Sequence, residues 1–209
     1  MLTLHYAPNT CARASLIALA ESGADYRLVR LDFAQAEQRK PDYLAVNPKG
    51  RVPALVTERG VLTETPAILA FIAQSFPAAH LAPLDDPFAL AQMQAFHSYL
   101  CSTVHVAHAH KGRGARWSDD PAAHASMRQK VGQNMLECFR LIESTMLRGP
   151  WVMGDAFSVA DAYLYTISGW LEGDGVDLAL LPATQAHRQR MAQRPAVQRA
   201  LAQETAGSV

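Results

Sequence analysis

The chain has 209 residues, enough for one large domain or two small ones. Its hydrophobic content of 49% supports a substantial core, and 19 basic side chains balance 19 acidic ones, which points away from nucleic acid and anionic membranes as partners. No run of about 18 apolar residues occurs, so no membrane span is expected, and the N-terminus carries neither the basic region nor the long apolar run of a signal peptide.

Leu2, Leu4 and Tyr6 alternate with Thr3 and His5, which predicts a strand ended by Pro8 and Asn9. Residues 11–22 follow as a helix carrying Leu16, Ile17, Leu19 and Ala20, stopped by Gly23. Alternation over 26–33 predicts a second strand, and residues 34–41 a loop. Residues 54–57 and 61–63 flank Glu58-Arg59-Gly60 as a short hairpin. Residues 65–76 form the next helix, with Ile68, Leu69, Ile72 and Phe76 on one face. This β-α-β-(α)-β-β-α order is that of a thioredoxin-like domain. The proline-rich stretch 78–87 then separates residues 1–77 from residues 88–209, which read as a helical bundle. The fold class is therefore α+β with two domains, a thioredoxin-like α/β domain followed by an all-α domain. In the second part Pro87 opens a helix with a stripe of Phe88, Met93, Phe96 and Leu100. Another helix spans 121–147 and is closed by Gly149-Pro150. Ser158-Val159-Ala160-Asp161 has capping-box spacing ahead of an apolar face of Val159, Tyr163, Ile167 and Trp170, and reads as a structural helix start.

Three cysteines, Cys11, Cys101 and Cys138, lie far apart, which fits reduced thiols in a cytosol and not a disulfide framework. Cys11 opens the first helix, where the positive dipole end is expected to stabilise thiolate and lower its pKa. Thr10 offers a neighbouring hydroxyl for the same task. The stretch Asn47-Pro48-Lys49-Gly50-Arg51-Val52-Pro53 sets a proline just before a strand, and the Val52-Pro53 bond is a candidate cis bond. Val52 would then offer its backbone to an extended peptide. Glu64 and Thr65 start the following helix, whose free N–H groups suit a carboxylate. Together these features suggest a site for a small peptide with an anionic end. His97, His105, His108 and His110 invite a metal reading, but no HExxH and no supporting Cys or Asp cluster accompanies them, so no metal is expected.

Five motifs in order resemble the cytosolic glutathione transferase family, and most of all its bacterial beta class. They are residues 6–11, residues 47–55, residues 62–68, Val104-His105, and residues 157–163, so the resemblance spans nearly the whole chain. The resemblance implies a glutathione S-transferase that conjugates glutathione thiolate to a hydrophobic, electrophilic small molecule. Glutathione is then a co-substrate and no other cofactor is implied. Cys11 and His105, with Thr10, would serve catalysis. Arg51, Val52, Pro53, Glu64 and Thr65 would hold glutathione, while His108, Arg113 and Trp117 would shape the second-substrate pocket. A cytoplasmic homodimer is implied as well. Two departures from the class stand out: Val106 where a lysine often follows the histidine, and Thr103 where an acidic residue is frequent. Two other readings stay open: a glutathione-dependent thiol reductase or dehalogenase using Cys11, and a non-catalytic regulatory protein.

Overall fold

The computed structural model describes residues 1–206. Strand β1 (Leu2–Tyr6) is followed by helix α1 (Ala12–Ser22), β2 (Tyr26–Arg30), α2 (Pro41–Val46), β3 (Ala54–Thr57), β4 (Gly60–Thr63) and α3 (Thr65–Ser75). The sheet order is β2-β1-β3-β4. β1 runs parallel to β2, pairing Leu4 with Leu28, and antiparallel to β3, pairing Leu4 with Leu55. The parallel β1–β2 pair needs a crossover, and α1 supplies it. The chain then forms α4 (Pro87–Tyr99), α5 (His105–Ala109), α6 (Pro121–Leu141), α7 (Val159–Ser168), α8 (Pro182–Ala192) and α9 (Pro195–Ala206).

Local chemistry sets these boundaries. Gly23 ends α1 with φ 71, a left-handed conformation that glycine reaches without steric cost. Asp86 caps α4 by accepting from Phe88 N and Ala89 N at 2.9 and 3.0 Å, with Pro87 as the first helical residue. The capping box at Ser158 is formed, and the fully buried Asp161 also accepts from Val152 N at 2.7 Å and meets His187 Nε2 at 3.0 Å. Ala12, Ala14, Leu16, Ile17, Ala18 and Leu19 of α1 have no solvent exposure. This helix touches α3 of the sheet domain and α7 and α9 of the bundle, so it joins the two halves through one apolar core.

Several elements differ from the sequence reading. The second strand stops at Arg30: Leu31 N makes the last rung to Tyr6 O, and the Asp32 carboxylate then caps the amides of Ala34 and Gln35. The expected loop 34–41 holds a helical turn over Glu37–Arg39. Phe88 is 72% exposed, since in the first turn of α4 it lies beyond the reach of the core. The helix expected over 121–147 is α-helical to Leu141 and passes into a wider π turn over Ile142–Met146. A second π turn, Leu100–Val104, joins α4 to α5 and is closed by His105 N bonding Leu100 O. Trp170 lies past the end of α7.

Candidate functional site

A cavity of about 840 Å³ opens where the N-terminal end of α1 meets β3, α3 and the α4–α5 helix. Cys11, Thr10, Arg51, Val52, Pro53, Glu64, Thr65, His105, His108, Arg113 and Trp117 all line it. Gln38 and Arg39 also line it.

The wall from residues 47–55 is rigidly built. The buried Asn47 amide donates to Arg51 O at 2.7 Å, and the Tyr43 hydroxyl donates to the same carbonyl at 2.5 Å. Gly50 sits at φ 59, and a Cβ there would lie 2.8 Å from Gln38 O, so glycine is required on both counts. The Val52-Pro53 peptide bond is cis. Opposite, Glu64 precedes α3 with φ 73, a left-handed value rare for a side chain of this size. Its carboxylate is held by Lys49 Nζ at 2.5 Å, and the same ammonium bonds Thr63 Oγ1. Thr65 is buried at the first helical position, and Pro66 follows.

Cys11 occupies the N-cap position of α1 and donates its thiol hydrogen to Val52 O at 3.5 Å. Burial pushes the thiol up from its ordinary value, while the Thr65 side chain and the Arg113 guanidinium pull it down and the Glu64 carboxylate pushes it up. The lowered pKa expected from the helix N-terminus therefore does not arise. The first-turn amides are already engaged: Ala12 N by Thr10 Oγ1, Arg13 N by Thr10 O, and Ala14 N by Cys11 O. A thiol bonded as a donor is stabilised in its neutral form. The Thr10 hydroxyl donates to Ala7 O at 2.7 Å, so its proton is engaged within the turn.

On the bundle side, burial holds His105 down at about 4, reinforced by the positive groups of His108, Arg113, Arg116 and Arg51, so its ring is uncharged at neutral pH. Its ring lies 4.9 Å from that of Trp170. His108 stacks on the same indole at 4.3 Å and 23°, and its Nδ1 is 2.7 Å from Asp174 Oδ2. Arg39, Arg51, Arg113 and Arg116 line the cavity, and no side-chain bond or ion pair to a described residue holds any of them. His97, by contrast, is fully buried against Tyr163 and lies away from this wall.

Sequence reasoning missed the residues that hold the Cys11 loop. Asn9 has φ 59 and is bonded on three sides. Its N–H donates to Glu204 Oε1 at 3.2 Å, its carbonyl accepts from Trp170 Nε1 at 3.2 Å, and its side-chain oxygen accepts from Arg13 at 2.6 Å. Arg13 in turn forks onto Glu204 Oε2 at 2.9 and 2.7 Å. Glu204 and Asp174 carry no local sequence signal, because their partners are remote in the chain. Cys101, Tyr163 and Trp170 also line the cavity, and only their helical periodicity could have brought them near it.

Residues 2–74 match the family described as Glutathione S-transferase, N-terminal domain, and residues 94–195 match Glutathione S-transferase, C-terminal domain. The chain is 33% identical over 211 residues to Glutathione S-transferase GstA of Escherichia coli O157:H7, covering 97% of this chain and 98% of that protein. The crystal structure of a Sulfitobacter glutathione transferase homologue with bound glutathione superposes with a TM-score of 0.93 at 49% identity, covering 95% of this chain and 96% of the other. A bacterial beta class glutathione S-transferase from Sphingomonas chungbukensis gives a TM-score of 0.84 at 34% identity, covering 97% and 98%.

Proposed function

The chain belongs to the glutathione S-transferase family, and on that premise we propose that it joins the thiolate of glutathione to a hydrophobic electrophile in the cavity at Cys11. The observation that carries this reading is the convergence of Cys11, the Val52-Pro53 backbone and the Glu64-Thr65 helix start on one cavity. In this reading residues 1–77 bind glutathione, residues 78–87 link, and residues 88–209 supply the wall for the electrophile. The γ-glutamyl carboxylate meets the first-turn N–H groups of α3 and the Thr65 hydroxyl. The ammonium lies against Glu64, which Lys49 orients. The cysteinyl backbone pairs with Val52. Arg39 or Arg51 takes the glycine carboxylate, because both guanidinium groups line the cavity without a carboxylate partner.

Cys11 and His105 then act without net charge. The Cys11 thiol can turn its hydrogen from Val52 O to the glutathione sulfur, and neutral His105 can donate one ring N–H. Arg113 adds the positive charge that favours thiolate. The sulfur attacks the electrophilic carbon between His105, His108, Arg113 and Trp117, and the leaving group departs with the bonding pair. A cytoplasmic homodimer with no further cofactor completes the proposal.

A second reading is thiol–disulfide exchange at Cys11, favoured by the presence of two thiols, Cys11 and Cys101, in the lining of one cavity. Calorimetry with glutathione on the native chain and on Cys11→Ala, mass spectrometry for an adduct, and initial rates with an aryl chloride separate the readings. Binding to both chains with thioether formation supports the transferase. Adduct formation without thioether supports exchange, and absence of glutathione binding overturns both.

A further inference from the structure

One group in the cavity has a built partner that glutathione binding does not use. His108 lies on α5, one turn beyond His105, and its Nδ1 is 2.7 Å from Asp174 Oδ2. The Asp174 side chain is entirely shielded from solvent. Its other oxygen is 3.3 Å from Lys111 Nζ, and that ammonium also bonds Gly173 O. The loop that carries Asp174 is fixed: Asp174 N bonds Trp170 O and Leu171 O at 2.9 and 3.0 Å, and an added Cβ on Gly132 of α6 would lie 3.0 Å from Asp174 O. A carboxylate only accepts, so Nδ1 carries the proton and Nε2 is the acceptor. No described residue bonds Nε2, and the residue lines the cavity. An imidazole oriented by a buried carboxylate, with its far nitrogen free in a cleft, is a proton-carrying arrangement.

We propose that His108, oriented by Asp174, carries the proton for electrophiles whose attack leaves an oxygen anion, such as epoxides. The inference rests on the transferase reading. Nε2 takes the thiol proton of glutathione, directly or through one water, and Asp174 stabilises the imidazolium. The sulfur attacks the epoxide carbon, the carbon–oxygen bond breaks, and its electron pair stays on oxygen. The Nε2 proton then moves to that oxygen, and the imidazole returns to its starting form. The thiol proton ends as the hydroxyl proton of the product, so no other reactant is needed. His108 is the catalytic residue and Asp174 a positioning residue.

The test compares kcat for an aryl chloride, whose chloride leaves unprotonated, with kcat for styrene oxide, using the full-length chain. His108→Asn keeps a donor for Asp174 and removes Nε2. It is expected to lower epoxide kcat about 100-fold more than aryl chloride kcat, within the range for loss of an acid–base group. Asp174→Asn, which reverses the tautomer, is expected to shift the same ratio in the same direction, with the KM for glutathione little changed. Equal losses on both substrates would overturn the inference and make the pair a strut. A native chain active on the aryl chloride and inert to the epoxide would also overturn it, leaving the transferase reading intact. Inactivity on both would remove the reading beneath it. If Asp174→Asn unfolds, the ratio for His108→Asn alone decides.

Discussion

Replacing Glu204 by alanine separates the role of α9 as a structural support from its role as a brace for the Cys11 loop. Glu204 accepts two bonds from Arg13 and one from Asn9 N. The two side chains are 16% and 4% exposed, so solvent screens the pair little. Removing one partner of a buried, hydrogen-bonded charge pair costs about 3–5 kcal/mol, because the other is left unpaired. For a chain of this size 1 kcal/mol is worth about 2–4 °C in Tm, so a fall of roughly 6–20 °C is expected. Asn9 holds its left-handed backbone two residues before Cys11, so kcat/KM with an aryl chloride should fall beyond the loss of folded protein. Glu204→Gln, whose single side-chain oxygen can accept from only one of Asn9 N and Arg13, should recover part of both. Urea unfolding and initial rates on the same preparations measure the two effects. A loss below about 1 kcal/mol would refute the reasoning, since it would place the pair in the range of exposed surface bridges.

Two further perturbations follow from the burial pattern. His97 is buried with neither ring nitrogen bonded, and burial holds it at about 4, as it does His105. A folded pKa below the unfolded value of 6.5 means that the unfolded chain binds more protons. Stability is therefore complete above pH 6.5 and is lost as pH falls from 6.5 toward 4, by on the order of 3 kcal/mol for each ring. His97→Leu should flatten that slope by about one proton in urea titrations at pH 5 and 7.5, and an unchanged slope would place the titration elsewhere. At Gly50, alanine meets both a left-handed φ and Gln38 O at 2.8 Å. A destabilisation of about 1–3 kcal/mol and a raised KM for glutathione are expected. Equal stability and KM would show that the 47–52 turn yields without disturbing the cavity.

The parts of this fold that were readable share one property: their signal lies within a few residues. Alternation from Leu2 to Tyr6, Gly23 after α1, Asp86-Pro87 before α4 and the Ser158–Asp161 box each act through neighbouring backbone, so local chemistry fixes them. The proline-bearing turn at 47–53 and the start of α3 were readable for the same reason, and the cavity gathers both. What escaped depends on partners far along the chain. His108 was visible as a histidine on a helix, whereas its carboxylate lies 66 residues on. Arg13 stands only two residues after Cys11, but its partner Glu204 is 191 residues away. The Cys11 thiol shows the limit of a local rule: its place at a helix start was right, but Thr10 and Cys11 had already satisfied the amides that would have stabilised thiolate.

The π turn at Leu100–Val104 also bears on how the two histidines of this helix meet their partners. His97 packs on Tyr163, and His105 packs on Trp170. The spacing is eight residues on one side of the interface and seven on the other. In an unbroken α-helix eight residues sweep about 800°, roughly 80° past two full turns, so the second histidine would be rotated off the first one's face. A π turn absorbs one residue, and the eight-residue interval then acts as seven, matching the seven residues from Tyr163 in α7 to Trp170 just past its end. The segment works as a vernier between two rulers of unequal count. A chain one residue shorter within 100–104 would keep both histidines on their rings, whereas a one-residue deletion within 88–96 would turn the preceding part of α4 out of register with its neighbours.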